Sequence, residues 1–129
     1  MAHEAEVIAA AVRVAEAFHR YAAKQGWPRE SYRVFIDANT KYNIFHAHFV
    51  SDNFDKESES TKFHEVMDFV RRDIRKTGIR WGLGLSLWNT DGYTFFATPR
   101  LEPGEIEIPD ELLNPGVEDW RGPFRAYAR

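Results

Sequence analysis

The stretch that decides the fold is residues 81–98, which read WGLGLSLWNTDGYTFFAT. Two runs rich in large apolar side chains flank the turn sequence NTDG at residues 89–92. An Asp-Gly pair between two such runs is typical of a tight β-hairpin turn. We therefore predict one hairpin with strands at Trp81–Trp88 and Tyr93–Thr98.

A second hairpin is predicted earlier in the chain, at Tyr32–Ala38 and Ile44–Val50. Both runs are rich in the β-branched and aromatic residues that favour strands. The two predicted hairpins share identical residues at an offset of 50, and these pairs are Asn39 with Asn89, Thr40 with Thr90, Phe45 with Phe95, and Ala47 with Ala97. The matching positions indicate an internal repeat.

An amphipathic helix is predicted before each hairpin. Apolar residues recur every three or four positions in both segments, at Val7, Ala11, Val14, Phe18 and Tyr21 in the first and at Phe63, Val66, Met67, Val70 and Ile74 in the second. This spacing places them on one face of a helix. Gly26 and Pro28 are expected to end the first helix, and Gly78 the second.

These elements predict an α+β fold of the form helix-hairpin-helix-hairpin, or αββαββ. Both helices are expected to pack on one face of a four-stranded, mainly antiparallel sheet, within a single domain at residues 1–98. Residues 99–129 form a Pro-rich, extended tail with four basic and seven acidic side chains. Because the tail also carries large apolar residues, we expect it to pack on the same domain or on a partner subunit.

The composition argues against several classes of function. The 129 residues carry a net charge of -3 and a pI near 5.9, which argues against a nucleic-acid or anionic-membrane partner. The chain has no cysteine, which excludes disulfides, thiolate metal sites and thiol nucleophiles. We find no signal peptide and no apolar stretch long enough to span a bilayer. We expect a soluble cytoplasmic protein without a cofactor.

The sheet face turned away from the helices gives the sharpest functional clue. Because strand side chains alternate between faces, five large or titratable residues are expected there, namely Phe35, His46, His48, Trp88 and Phe96. Gly82, Gly84 and Ser86 form a predicted flat stripe beside them, where another backbone or a planar ligand could approach closely. Such an apolar face is expected to be covered by the tail, by a second copy of the chain or by a ligand. We therefore predict a binding or adaptor protein that uses these five residues, with a protein or peptide partner or a homodimer as its assembly.

A metal- or histidine-dependent enzyme is the rival hypothesis. His46 and His48 lie two residues apart on one strand face, a spacing that can direct two imidazoles at one metal ion, with Asp37 or His64 as a further ligand. The same pair could act as general bases near neutral pH. No nucleophile accompanies them in the sequence. We therefore assign no catalytic residue and no metal ligand.

A cationic cluster marks the end of the second predicted helix. Its members are Arg71, Arg72, Arg75, Lys76 and Arg80. Cations are favourable at a helix C-terminus because of the helix dipole, which accounts for the cluster without a function. An anion or RNA-backbone site is the functional alternative.

Part of the chain resembles BolA-like proteins. The resemblance rests on residues 45–54, which read FHAHFVSDNF, on the helical His64, and on Gly78-Ile79 leading into LGLSL at 83–87. It covers about residues 32–88 and implies a helix-hairpin-helix-strand core that pairs with monothiol glutaredoxins. The resemblance also implies an iron–sulfur ligand on the second helix, a role that would fall on His64. The chain departs from the family at Lys56, where the family has glycine, and at Phe63, where it has arginine.

The helix-hairpin layout, size and acidity are also similar to those of type III secretion chaperones, which cradle extended peptides. This likeness is of architecture alone, and no motif supports it.

Overall fold

The computed structural model describes residues 2–54, 59–88 and 105–117. Its long elements are helix α1 (Ala2–Gln25), strands β1 (Tyr32–Asn39) and β2 (Ile44–Ser51), helix α2 (Glu59–Arg75) and strand β3 (Gly82–Trp88). Two short elements follow, strand β4 (Glu105–Glu107) and helix α3 (Asp110–Leu113). A 3₁₀ turn at Arg29–Ser31 leads into β1.

The helices end where the sequence signals predict. Gly26 and Gly78 follow α1 and α2 with φ of 76° and 77°, in the left-handed region that glycine enters without strain. The first hairpin also forms, with β1 and β2 antiparallel. Its turn is held by the Asn39 side chain, whose Oδ1 accepts from the backbone N–H groups of Lys41 and Tyr42 at 3.0 and 3.2 Å.

The prediction of a mainly antiparallel sheet is wrong. The strand order is β3-β2-β1-β4, and β3 runs parallel to β2 while β1 pairs antiparallel with both β2 and β4. The three long strands therefore form a mixed sheet. The reason lies in α2, which connects β2 to β3 and returns the chain to the end of the sheet where β2 began, so that a parallel crossover results.

The αββαββ order with two helices and an extended tail is also wrong. The part of the tail at residues 105–117 supplies a third helix, α3, and the three-residue edge strand β4. The second half of the other predicted hairpin, at 89–98, lies outside the described residues, so the internal repeat stays a prediction. The division between a domain at 1–98 and a tail at 99–129 also stays a prediction. The class of the fold is α+β.

The core lies between α1, α2 and one face of the sheet. Alternate strand residues such as Val34, Ile36 and Ala47 pack there against the apolar faces of both long helices. Phe49 lies at the centre of an aromatic cluster, with ring centroids 5.1 Å from Phe18, 5.8 Å from Tyr32 and 5.3 Å from Phe54. Each such ring contributes about 1.5–3 kcal/mol by its burial, so this cluster stabilises the hairpin against α1.

The segment at 105–117 closes one edge of the sheet. β4 pairs with Asp37–Asn39, and the N–H of Ile108 donates to the carbonyl of Ile36 at 3.4 Å. Further along the same edge, the Asn114 side chain accepts from the N–H of Val34 and donates to its carbonyl, both at 2.8 Å. An asparagine amide thus takes the place of a strand residue. This covers β1, whose free backbone groups would otherwise offer a template for pairing.

Candidate functional site

The outer sheet face carries the residues that the sequence predicts for binding. The strand register aligns Phe35, His48 and Ser86 in one row across β1, β2 and β3, and Arg33, Val50 and Trp88 in the adjacent row. Phe35 and Val50 form an apolar cluster with Trp88 that is separate from the main core. Four of the five predicted residues therefore lie on one face. The fifth, Phe96, lies outside the described residues.

Burial divides this face into two parts. On β1, Phe35 is 0% exposed, and the neighbouring Arg33 and Asp37 are also buried. On β2 and β3 the face is more open, since His46 is exposed and His48, Ser86 and Trp88 are half-buried. We use the name β2–β3 patch for His46, His48, Ser86 and Trp88. The accessible part of the predicted site is this patch.

His48 and Trp88 are joined within the β2–β3 patch. The indole Nε1–H of Trp88 donates to Nδ1 of His48 at 3.1 Å, and the two rings lie 6.3 Å apart at an interplanar angle of 35°. Because Nδ1 accepts this hydrogen bond, the neutral imidazole carries its proton on Nε2. His48 is thereby held in one orientation within the patch.

The glycines of β3 have a packing role against β2. A Cβ atom at Gly84 would lie 3.2 Å from Nδ1 of His46, and one at Gly82 would lie 3.4 Å from Cγ1 of Ile44. Side chains from β2 therefore lie across the glycines. Glycine at positions 82 and 84 therefore makes room for side chains of β2, and the approach of a ligand to this stripe stays a prediction.

The residues that the rival hypothesis offers as metal ligands do not form a ligand set. His46 lies opposite Asp37 in the strand register, whereas His64 is an exposed residue of α2. Within residues 2–54, 59–88 and 105–117 there is no group of three His, Cys, Asp or Glu side chains that could hold a metal ion. The geometry gives no support to a metal centre built on these histidines.

A second site lies at the end of α1, which the sequence reasoning missed. Its cleft has a volume of about 410 Å³ and lies between α1 and the segment leading into β1; its lining residues are Glu16, His19, Arg20, Ala23, Trp27, Arg29 and Tyr32. No sequence motif marks this cleft, because a single histidine next to the apolar stripe of a helix is not distinctive. Its partners come from residues far along the chain.

Hydrogen bonds define the state of His19. Nη1 of Arg29 lies 2.5 Å from Nδ1 of His19 and donates to the Tyr32 hydroxyl at 2.9 Å. The Tyr32 hydroxyl is also 2.9 Å from Nδ1 of His19. Since arginine can only donate, Nδ1 is an acceptor and the proton is on Nε2. Nε2 then donates to the carbonyl of Leu113 at 2.6 Å. Both ring nitrogens are occupied in the neutral form.

The surroundings oppose protonation of His19. Burial is the main reason that its pKa is lowered from 6.5, and the Arg29 charge acts in the same direction. The Leu113 carbonyl and the Glu16 carboxylate act in the opposite direction. Arg29 also donates through Nη2 to the carbonyl of Pro115 at 2.8 Å. The cluster therefore holds residues 113–115 against α1, and no lining residue is a serine, threonine or cysteine that could act as a nucleophile.

Comparison with protein-family models, with curated proteins and with solved structures gives no match. In the described part of the chain, no helix is both long and apolar enough to cross a membrane. The function therefore has to be argued from the sites themselves.

Proposed function

We propose that this chain is a non-catalytic binding protein that holds a protein partner against the β2–β3 patch. The observation that carries the proposal is the apolar cluster of Phe35, Val50 and Trp88 on the sheet face opposite the helices, at whose margin Trp88 stays half-buried. A partly exposed tryptophan anchored on a buried apolar base is the kind of residue that dominates binding energy at protein interfaces.

The polar part of the patch supports the same function. His46 is exposed, and the ring of His48 is oriented by its hydrogen bond from Trp88. A rim of hydrogen-bonding groups around an apolar centre is the usual composition of a protein interface. We further propose that the protein is cytoplasmic and that its partner is a protein, a peptide or a second copy of the chain.

The absence of cysteine makes a site-specific test simple. We would introduce one cysteine at the exposed His46 and, as a matched control, one at the exposed Arg13 of α1. Each variant is labelled with a thiol-reactive photo-crosslinker, then irradiated both as purified protein and in an extract of its host cells. We expect a discrete adduct from position 46 and none of the same mass from position 13.

The substitution Trp88→Glu completes this test. It is expected to abolish the adduct formed from position 46, because a charge replaces the partly exposed apolar side chain of the patch. An adduct in the purified protein at twice the chain mass identifies a homodimer. Identical adducts from both positions, or an adduct that survives Trp88→Glu, would contradict the proposal.

The BolA-like resemblance gives a second candidate function. The described order α1-β1-β2-α2-β3 is the helix-hairpin-helix-strand order that the resemblance implies, and His64 is exposed on α2. An exposed imidazole can reach an iron–sulfur cluster held by a partner, although this chain supplies no thiolate of its own. Titration with a cluster-loaded monothiol glutaredoxin tests the idea. A visible circular dichroism change that is lost in His64→Ala supports it, and an unchanged spectrum in the parent protein contradicts it.

A further inference from the structure

The two edges of the sheet differ in their cover. The β1 edge is closed by β4, Ile108 and Asn114. The opposite edge belongs to β3, and no strand within residues 2–54, 59–88 and 105–117 pairs with it; the segment at 93–98, which the sequence predicts to pair with β3, lies outside these residues. An edge strand of this length carries a row of backbone donors and acceptors that favours pairing with another chain.

The direction of these backbone groups follows from the parallel ladder. Gly82 donates its N–H to the carbonyl of Asn43 at 2.9 Å, so its backbone groups point at β2. Because strand residues alternate, the even-numbered residues of β3 all point at β2, whereas Leu83, Leu85 and Leu87 point their N–H and C=O groups at the opposite edge. That edge therefore offers three residues with the spacing that an added strand requires.

A groove lies beside the start of β3, between that end of the strand and the C-terminal part of α2. It has a volume of about 220 Å³ and its apolar walls are formed by Ile74, Ile79, Trp81 and Leu83. Trp81 is fixed in place by stacking on Phe45, with ring centroids 4.6 Å apart and an interplanar angle of 25°. All four wall residues are half-buried. A bound strand could place alternate side chains in this groove.

The positive charge beside the groove favours an acidic strand. Arg71 and Arg75 line it from α2, and both are exposed. Neither forms a salt bridge with any residue in the described part of the chain, where the α2 residues that are paired are Asp73 with Arg20 and Glu65 with Lys62. Two guanidinium groups without a salt bridge to a described residue are complementary to the carboxylates of a bound strand.

We propose that the edge of β3 and the groove beside α2 bind an extended acidic peptide segment of a partner protein by strand addition. The segment adds a fifth strand next to β3, with alternate apolar side chains in the groove and carboxylates against Arg71 and Arg75. This is the mode in which main-chain hydrogen bonds provide affinity and side-chain pockets provide specificity. The site is separate from the β2–β3 patch, and the proposal does not depend on it.

Fluorescence anisotropy with short labelled peptides tests this site on the full chain. The probe is an eight-residue peptide of alternating glutamate and valine, and one comparison peptide has lysine in place of glutamate. A second comparison peptide replaces one central valine by proline, which removes an N–H and cannot form a regular ladder. We expect the acidic peptide to bind more tightly than either comparison peptide.

Matched charge reversals separate the groove from long-range electrostatics. The double variant Arg71→Glu with Arg75→Glu is expected to weaken binding of the acidic peptide by about tenfold, since two partly exposed ion pairs are lost. The control is Arg72→Glu with Lys76→Glu, which makes the same change of net charge at two exposed residues of the same cluster that do not line the groove. We expect the control to weaken binding by no more than about threefold, because screened charges at a distance contribute little.

Leu85→Pro tests the strand edge itself, because it removes an outward N–H and leaves the ladder with β2 intact. Cooperative thermal unfolding of this variant is established first, to show that it folds. We then expect it to bind the acidic peptide about as weakly as the variant Arg71→Glu with Arg75→Glu does. If this variant does not fold, the proline-containing peptide makes the same test on the unaltered protein.

Three results would overturn the proposal. They are equal losses in the two double variants, equal binding of the acidic and proline-containing peptides, and displacement of the acidic peptide by an equal concentration of oligo-dT. None of these results bears on crosslinking from position 46, so the two proposals fail independently.

Discussion

Replacing Asn114 by alanine measures how strongly the segment at 105–117 is fastened to the sheet. Asn114 is 1% exposed and Val34 is 0% exposed. The asparagine amide satisfies both backbone groups of Val34 and also donates to Oδ1 of Asp110, each at 2.8 Å. Alanine retains none of these hydrogen bonds, and Val34 is fully buried.

The expected loss follows from the groups left behind. A buried donor or acceptor without a partner costs about 1–3 kcal/mol, so two such groups on Val34 predict a loss of about 2–6 kcal/mol in the free energy of unfolding. Since a domain of this size has a total stability of about 5–15 kcal/mol, the change is large enough to shift the urea midpoint clearly. The measurement is equilibrium urea unfolding followed by far-UV circular dichroism.

Two further variants control the experiment. Asn53→Ala removes an exposed amide that hydrogen-bonds to the Ser51 hydroxyl at 2.9 Å, and we expect a change below about 0.5 kcal/mol. Asn114→Asp keeps the acceptor for Val34 but cannot donate to its carbonyl and places a carboxylate beside Asp110. It should therefore be destabilising at neutral pH and recover partly under acidic conditions. If Asn114→Ala costs no more than Asn53→Ala, the reasoning about this edge is refuted.

Three other outcomes are expected from the described contacts. First, burial lowers the pKa of His19 in the fold, so the unfolded chain binds a proton at this residue more readily. The stability that follows from the neutral imidazole is fully present above about pH 6.5 and is lost as pH falls through the lower folded pKa. Subtracting the urea unfolding data of a His19→Gln variant isolates this dependence of the unfolding free energy on pH. Second, Gly84→Ala is expected to cost about 1 kcal/mol or less, because its Cβ would lie 3.2 Å from the exposed ring of His46, and combining it with His46→Ala should remove that cost in thermal unfolding. Third, Arg20 and Asp73 join α1 to α2 at 2.5 Å, and because Arg20 is 50% exposed, a double-mutant cycle to alanine should give a coupling of about 0.5–1 kcal/mol that falls in 1 M salt. A coupling unchanged by salt, a Gly84→Ala cost that persists with His46→Ala, or a His19→Gln slope equal to that of the parent would each contradict its explanation.

Local patterns in the sequence account for the elements but not for their arrangement. The helical stripes, the stop at Gly26 and the turn at Asn39 all depend on residues close together in the chain, and each is present in the structure. The direction of β3 depends on where α2 returns the chain, which no residue within β3 encodes. The apparent repeat of two hairpins therefore led to an antiparallel prediction, whereas the crossover through α2 makes β3 parallel to β2.

The same limit explains the errors at the candidate sites. Strand alternation correctly placed Phe35, His48 and Trp88 on one face, because alternation is a local property. The role of Gly84 depends on the side chain of the neighbouring strand, and the cleft at His19 depends on carbonyl groups at residues 113 and 115. Contacts between residues that are distant in the sequence leave no periodic signal, and so they were missed.

The unequal cover of the two sheet edges connects the fold to the proposed functions. Residues 105–117 cover the edge of β1 with strand β4, the buried side chain of Ile108 and the Asn114 amide. Binding at that edge would require these contacts to break, at a free-energy cost that Asn114→Ala measures. The β3 side has no comparable cover among the described residues, and it combines a half-buried tryptophan on one face with an arginine-lined groove on the other. Both proposed binding sites lie on the β3 side, where binding would leave the contacts of residues 105–117 with β1 intact.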